Sequence, residues 1–187
     1  RPLQTFQRDK PERRTMTPSH QPTLTIDLGA ITQNWRKLNG LSALGSAAVI
    51  KANAYGLGME ACGVALRDAG ATRFFVATLD EGRALRETLG EKPWIGVLEG
   101  LSEVAAFEKH ALTPVLNTLE QVQGWRGQTD VVIHLDTGMN RLGLLPSELA
   151  EAASSDTWQT ARTALLMSHL ASAEEPANPA NQAQLAR

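Results

Sequence analysis

The chain has 187 residues, 42% of them hydrophobic, and a formal net charge of -2 at pH 7. That length supports one sizeable core. The interspersed charge excludes a nucleic-acid surface or a polybasic membrane anchor as the organising feature. Cys62 is the single cysteine, which excludes an intrachain disulfide framework and suits a reducing cytoplasm. No apolar run is long enough to span a bilayer.

Arg1 to Pro22 is rich in Arg, Gln, Pro and Thr without an apolar period, and reads as a disordered tail. It contains Asp9 and Glu12 and no hydrophobic segment, which argues against a secretory signal. Met16 is a candidate start, and a basic interaction tail is the competing reading. From Thr23 the pattern changes. Thr23 to Ile26 alternates polar and apolar as a half-buried strand does. Asp27 then caps a helix with Leu28, Ile31, Trp35 and Leu38 on one face, ended by Asn39-Gly40.

Ala47-Ala48-Val49-Ile50 is too short for an amphipathic helix and is flanked by turn residues, which predicts a buried parallel strand ending on Lys51. Helices are predicted over Met59 to Ala69, Asp80 to Leu89, Ser102 to Lys109, Leu119 to Trp125, Pro146 to Ser154 and from Asn178 to Arg187. Strands are predicted over Arg73 to Thr78, Trp94 to Leu98, Thr113 to Leu116, Asp130 to Leu135 and Ala164 to Met167. Strand and helix alternate with short links, the pattern of a parallel α/β architecture. Alternation alone fits both a doubly wound sheet and a β/α barrel. A barrel needs eight such units, and the chain supplies about six. It runs out at Gln184 to Arg187 within a helical pattern, so a fragment is expected.

Three strand ends carry candidate chemistry. At the first, Lys51 brings an amine to the edge of an apolar core. Burial disfavours a charged amine, and a neutral amine is a nucleophile able to form a Schiff base with an aldehyde. Gly56 and Gly58 follow it in a loop that lets backbone approach a ligand. For an isolated lysine, a solvated strand cap is the commoner case. At the second, His134 to Gly143 is a strand breaking into a glycine-containing loop that presents Arg141, suited to a carboxylate or phenolate oxygen. The bland alternative is a surface ion pair. At the third, His169 follows the apolar Leu165-Leu166-Met167, where a lone histidine is more often a core residue.

Val49-Ile50-Lys51-Ala52-Asn53-Ala54-Tyr55-Gly56-Leu57-Gly58 closely resembles the cofactor-lysine signature of the alanine racemases. Asp136-Thr137-Gly138-Met139-Asn140-Arg141-Leu142-Gly143 resembles their second signature, and the segment from Thr23 through the helix containing Asn34 resembles their opening. The resemblance implies a TIM-type β/α barrel, incomplete here and lacking the C-terminal β domain. It implies a pyridoxal 5'-phosphate cofactor held as a Schiff base on Lys51, with Lys51 also a catalytic acid-base. It gives Tyr55 to the cofactor phosphate, Arg141 to the phenolic oxygen and substrate carboxylate, and His169 to the cofactor ring. The reaction implied is interconversion of L- and D-alanine, supplying D-alanine for peptidoglycan. The full-length protein is expected to be a cytoplasmic homodimer whose second base, a tyrosine, comes from the partner subunit. Tyr55 is the only tyrosine in this chain, so the isolated chain is expected to be poorly stable and nearly inactive. One departure stands out. Many relatives have a lysine where this chain has His134, carbamylated in some of them to orient the arginine, and His134 cannot be modified that way.

Other chemistries fit less well. Scattered histidines and one cysteine do not make a metal site. Gly56 and Gly58 lack the third glycine of a dinucleotide fingerprint. Ser168-His169 has no nucleophile elbow. Three alternatives remain: a single-barrel pyridoxal-phosphate carrier that regulates without turnover, a racemase of broader amino-acid range, and a nonfunctional remnant.

Overall fold

The computed structural model describes residues 23–187, and the tail reading over 1–22 lies outside them. In chain order, α1 (Leu28–Asn39) leads to β1 (Ala48–Val49), a single turn labelled α2 (Lys51–Tyr55), α3 (Met59–Asp68) and β2 (Arg73–Val76). There follow α4 (Leu79–Leu89), β3 (Trp94–Val97), α5 (Val104–Lys109), β4 (Thr113–Leu116) and α6 (Leu119–Gly124). The rest is β5 (Val131–His134), α7 (Pro146–Ser154), α8 (Asp156–Thr160), β6 (Thr163–Met167) and α9 (Pro179–Leu185). The short helix α8 has no counterpart in the sequence reading.

Strand order decides between the two parallel architectures. The six strands are all parallel and run β1-β2-β3-β4-β5-β6. A doubly wound sheet reverses at a switch point, whereas here every strand is added beside the one before it. That is the progression of a β/α barrel, with six of the eight units present. β1 and β6 form the two edges, so the barrel is incomplete.

The predicted strand at Thr23 to Ile26 is a correction. Residues 23–27 form no strand, because none of the described strands lies alongside to complete a hydrogen-bonded ladder. Edge position also explains exposure. Ala48 and Ile50 are buried, but Val49 of β1 is 45% exposed and Leu166 of β6 is 54% exposed.

The core lies between the sheet and its helices. Phe74, Val76, Ile95 and Val97 are fully buried, against Leu85, Phe107 and Leu112. A Cβ on Gly82 of α4 would meet Leu112 Cδ1 at 2.9 Å and Val97 Cγ2 at 3.2 Å, so the missing side chain sets how closely α4 approaches the sheet. Arg86, one helical turn on, is buried at 9% exposure and donates only to backbone oxygens in its recorded bonds. Its Nε reaches His110 O (3.0 Å), Nη1 reaches Gly90 O and Pro93 O (both 2.8 Å), and Nη2 reaches Ala111 O (2.8 Å). It pins the end of α4 to the links that enter β3 and β4.

Helix starts follow side-chain capping. Asp27 Oδ1 accepts from Ala30 N at 2.9 Å. Thr78 and Thr118 Oγ1 accept from Glu81 N and Gln121 N, each at 3.2 Å. Glu81 and Gln121 reach back in turn, accepting from Ala77 N (2.8 Å) and Asn117 N (2.7 Å). These are close relatives of the capping box. They fix both helix starts at the carboxyl ends of β2 and β4, the barrel face where functional groups collect.

Candidate active site

Lys51 leaves β1 on a turn of unusual hand. Ala52 (φ 51, ψ 51), Asn53 (φ 53, ψ 46) and Ala54 (φ 53, ψ 47) are left-handed, as is Tyr55 (φ 56). Each non-glycine residue held this way costs about 1–2 kcal/mol, so the turn persists only where its surroundings determine it. Asn53 supplies much of that. Its Oδ1 accepts from Met59 N at 2.8 Å, and its carbonyl accepts from Gly56 N (3.1 Å) and Gly58 N (3.0 Å). Gly56 and Gly58 have φ of 86° and 96° and open space where a Cβ would stand, so backbone angle rather than crowding calls for glycine.

The second strand end is organised by Asp136, which is buried. Its Oδ1 accepts from Gly138 N (2.9 Å) and Asn140 N (3.0 Å), rolling the loop into the turn that carries Arg141. Burial raises the Asp136 carboxyl, but the backbone donors of Asn140, Gly138 and Met139, helped by His134, outweigh it and hold it below the usual carboxylate range. The loop closes on itself. Asp136 N donates to Leu144 O (2.9 Å) and Leu144 N to His134 O (2.8 Å). Gly143 (φ +112) sits inside this closure, where a Cβ would lie 2.7 Å from Asp136 N.

His134, 6% exposed, ends β5 with Nδ1 at 2.7 Å from Asn117 Oδ1. The amide nitrogen of Asn117 is committed to Leu98 O (3.0 Å) and Val115 O (3.1 Å). Asn117 therefore presents its oxygen, and His134 Nδ1 carries the proton. Burial, then His169, lower the His134 pKa, with Asp136 opposing and Arg141 adding to the effect.

The third strand end is tied to the second by Gln184 of α9, which is buried. Its Nε2 donates to His169 O (3.0 Å) and Thr137 Oγ1 (3.2 Å), and its Oε1 accepts from Ala171 N (2.8 Å). His169 is exposed rather than a core residue. Its pKa is lowered by partial burial, then by Arg141 and Lys51.

All four sequence-derived candidates meet. Lys51, Tyr55, Arg141 and His169 line one cavity of about 460 Å³, together with His134 and apolar groups such as Phe75 and Met167. No Asp or Glu is among its described lining residues. Tyr55 is 65% exposed and stands at the rim.

The family model for the alanine racemase N-terminal domain matches residues 26–187. The chain belongs to that family. Alanine racemase from Cereibacter sphaeroides is 46% identical over 170 residues, covering 87% of this chain and 48% of that protein. The crystal structure of alanine racemase from Bartonella henselae, with covalently bound pyridoxal phosphate, matches with a TM-score of 0.80 and 34% identity, covering 86% of this chain and 50% of that one. Histidine racemase from Leuconostoc mesenteroides subsp. sake matches with a TM-score of 0.70 and 28% identity, covering 85% of this chain and 46% of that one. The chain spans about half the length of the curated relatives it matches. Among the described residues no helix is long and apolar enough to cross a membrane.

Within this alanine racemase domain, sequence reasoning missed four supporting residues. Glu81 and Gln121 were visible as Thr-x-x-Glu and Thr-x-x-Gln, the capping-box signal. Asn117 and Gln184 act on residues distant in sequence, and no local pattern marks them.

Proposed function

We propose that this chain is the cofactor-bearing part of an amino-acid racemase that interconverts L- and D-alanine with pyridoxal phosphate. The observation that carries the reading is the convergence of Lys51, Tyr55, Arg141 and His169 on one cavity at the carboxyl ends of β1, β5 and β6. The cavity has the size of a small-molecule site. Its lining offers an amine and cationic donors without a described carboxylate, a donor set that fits a phosphorylated aldehyde.

Pyridoxal phosphate, when bound, supplies an electron sink that makes the α-proton of an amino acid removable. Lys51 would hold the cofactor through its amine and move a proton at the α-carbon. Tyr55 would donate its hydroxyl to the phosphate. Arg141 binds the carboxylate or phenolic oxygen with a fixed fork of donors. His169, its pKa lowered by burial and then by Arg141 and Lys51, would lie against the cofactor ring. His134 stands where many of the family have a lysine, and while neutral it would be able to accept from Arg141. With Nδ1 donating to Asn117, Nε2 is its remaining acceptor. Inversion needs a second acid-base on the opposite face. Tyr55 is the one tyrosine here and belongs to the lysine motif; the family resemblance assigns that group to a tyrosine from the partner subunit of a homodimer. The D-alanine produced would serve peptidoglycan in the cytoplasm.

The likeness to histidine racemase favours one second reading, a broader amino-acid range on the same scaffold. Both readings are tested by α-deuterium exchange in D2O with the cofactor present. Alanine and histidine are each offered to this chain joined to the C-terminal part of a full-length relative. Exchange on alanine, lost in Lys51→Arg, is expected. Exchange on neither amino acid would contradict both readings. Robust turnover by the 187-residue chain alone would refute the shared-site account.

A further inference from the structure

The left-handed turn after Lys51 is held by Asn53 from within and by one group from outside. Glu81, at the start of α4, has both carboxylate oxygens engaged. Oε1 accepts from Asn53 N at 3.1 Å, inside the turn, and Oε2 accepts from Ala77 N at 2.8 Å, at the end of β2. One side chain thus ties the turn to the neighbouring strand end, across 28 residues of sequence. Its own backbone N–H is held by Thr78 Oγ1 at 3.2 Å, the cap of α4. Gln121 shows what the same position does without a turn to brace. It has the same Thr cap and the same reach back to a strand end, through Asn117 N at 2.7 Å.

We propose that Glu81 is a positioning residue for Lys51, bracing the left-handed turn Ala52–Tyr55 against the end of β2 so that the lysine and Tyr55 enter the cavity together. The proposal rests on the cofactor reading of Lys51 for its consequence, but not for its geometry. A left-handed alanine is strained, and glycine in the same place is not. If the brace works by holding strained backbone, relieving the strain makes the brace dispensable. Ala52 is exposed and has φ 51, so Ala52→Gly is the relieving change.

The decisive experiment compares wild type, Glu81→Gln, Ala52→Gly, the double variant and Thr78→Ala in the complete chain. Amide hydrogen exchange is read at Gly56 and Gly58, whose N–H groups close the turn on Asn53 O. Lys51 labelling is read by pyridoxal phosphate and borohydride with peptide mapping. Glu81→Gln keeps one acceptor and turns an NH2 donor against the other N–H. It is expected to lower Gly56 and Gly58 protection and Lys51 labelling about tenfold, the scale of one lost charge-assisted hydrogen bond. Adding Ala52→Gly is expected to recover most of both. Thr78→Ala, which removes only the cap of α4, is expected to leave Gly56 and Gly58 protected. Failure of Ala52→Gly to rescue would overturn the proposal, because a general role in folding is not repaired by a glycine in the turn. Loss of protection spread uniformly over the sheet in Glu81→Gln would overturn it too. If wild type shows no selective Lys51 labelling while the exchange pattern is as expected, the cofactor reading fails and the brace stands.

Discussion

His134 Nδ1 lies 2.7 Å from Asn117 Oδ1 where β5 and β4 run side by side. Because the Asn117 amide nitrogen already donates to two carbonyls, the proton of this contact belongs to the imidazole. Nitrogen NMR of the folded protein above pH 7 should show His134 protonated at Nδ1 and unprotonated at Nε2. Asn117→Asp places a carboxylate against Nδ1–H, favours the imidazolium and should raise the His134 pKa. An Nε2–H tautomer in wild type would contradict the arrangement.

The same histidines make stability depend on pH in a defined window. His134 and His169 both have pKa values lowered from 6.5, by burial first and by neighbouring cationic groups after it. Asp136 opposes the shift at His134, Arg141 acts on both, and Lys51 acts on His169. The unfolded chain therefore binds more protons than the folded one below about pH 6.5, and stability falls as pH falls through that value. The slope ends below the folded pKa values. Chemical denaturation between pH 8 and 5 should show this loss, and His134→Gln should flatten part of it. A stability unchanged between those limits would exclude the lowered values.

Gly143 closes the loop that carries Arg141. An alanine there would place Cβ 2.7 Å from Asp136 N and 2.8 Å from Leu135 C, both backbone atoms, at φ +112. Neither can yield without moving the loop. Gly143→Ala is expected to cost about 2 kcal/mol in a denaturant melt and to shift the amide signals of Gly138 to Leu144. A variant with wild-type stability and an unshifted loop would show that the closure is loose.

Arg86→Met should be the more damaging change, though it lies away from the cavity. It keeps the apolar stem but abandons four carbonyl oxygens, those of His110, Gly90, Pro93 and Ala111. Only the bond to Pro93 O is fully buried and the other three are part-buried, so the loss is expected to total about 3 kcal/mol. Burial pulls the Arg86 pKa down, with Glu91 opposing. Arg86→Lys should recover only part of the loss, since an ammonium cannot fork to four oxygens. Full rescue by lysine would contradict the clamp.

The alternation of strands and helices was legible because buried strands leave short apolar runs and helices leave caps. Thr113–Leu116 and Pro146–Ser154 match their sequence reading at both ends. Strand order was not legible, since a doubly wound sheet and a barrel leave the same alternation, and only the pairing of β1 through β6 separates them. Thr23 to Ile26 misled because alternation reports a pattern suited to a ladder, not the presence of a neighbour. In the site, Lys51 and Arg141 were legible as chemistry placed at strand ends. The left-handed turn between Lys51 and Gly56 was not, because Ala52, Ala54 and Tyr55 carry no signal for positive φ. Asn117 and Gln184 were hidden for a related reason. Each acts through a hydrogen bond whose partner is brought close only by the folded sheet.

The most direct test of the central claim is to add pyridoxal phosphate to the protein, reduce with borohydride and map the modified lysine by mass spectrometry. One modification per chain, on Lys51, is the expected result. It would mean that the cavity holding Tyr55, Arg141 and His169 selects that amine over the exposed Lys37, Lys92 and Lys109. Labelling spread among these lysines in proportion to their exposure would contradict it. Lys51 would then be an ordinary strand-end lysine, and the cavity would have another occupant.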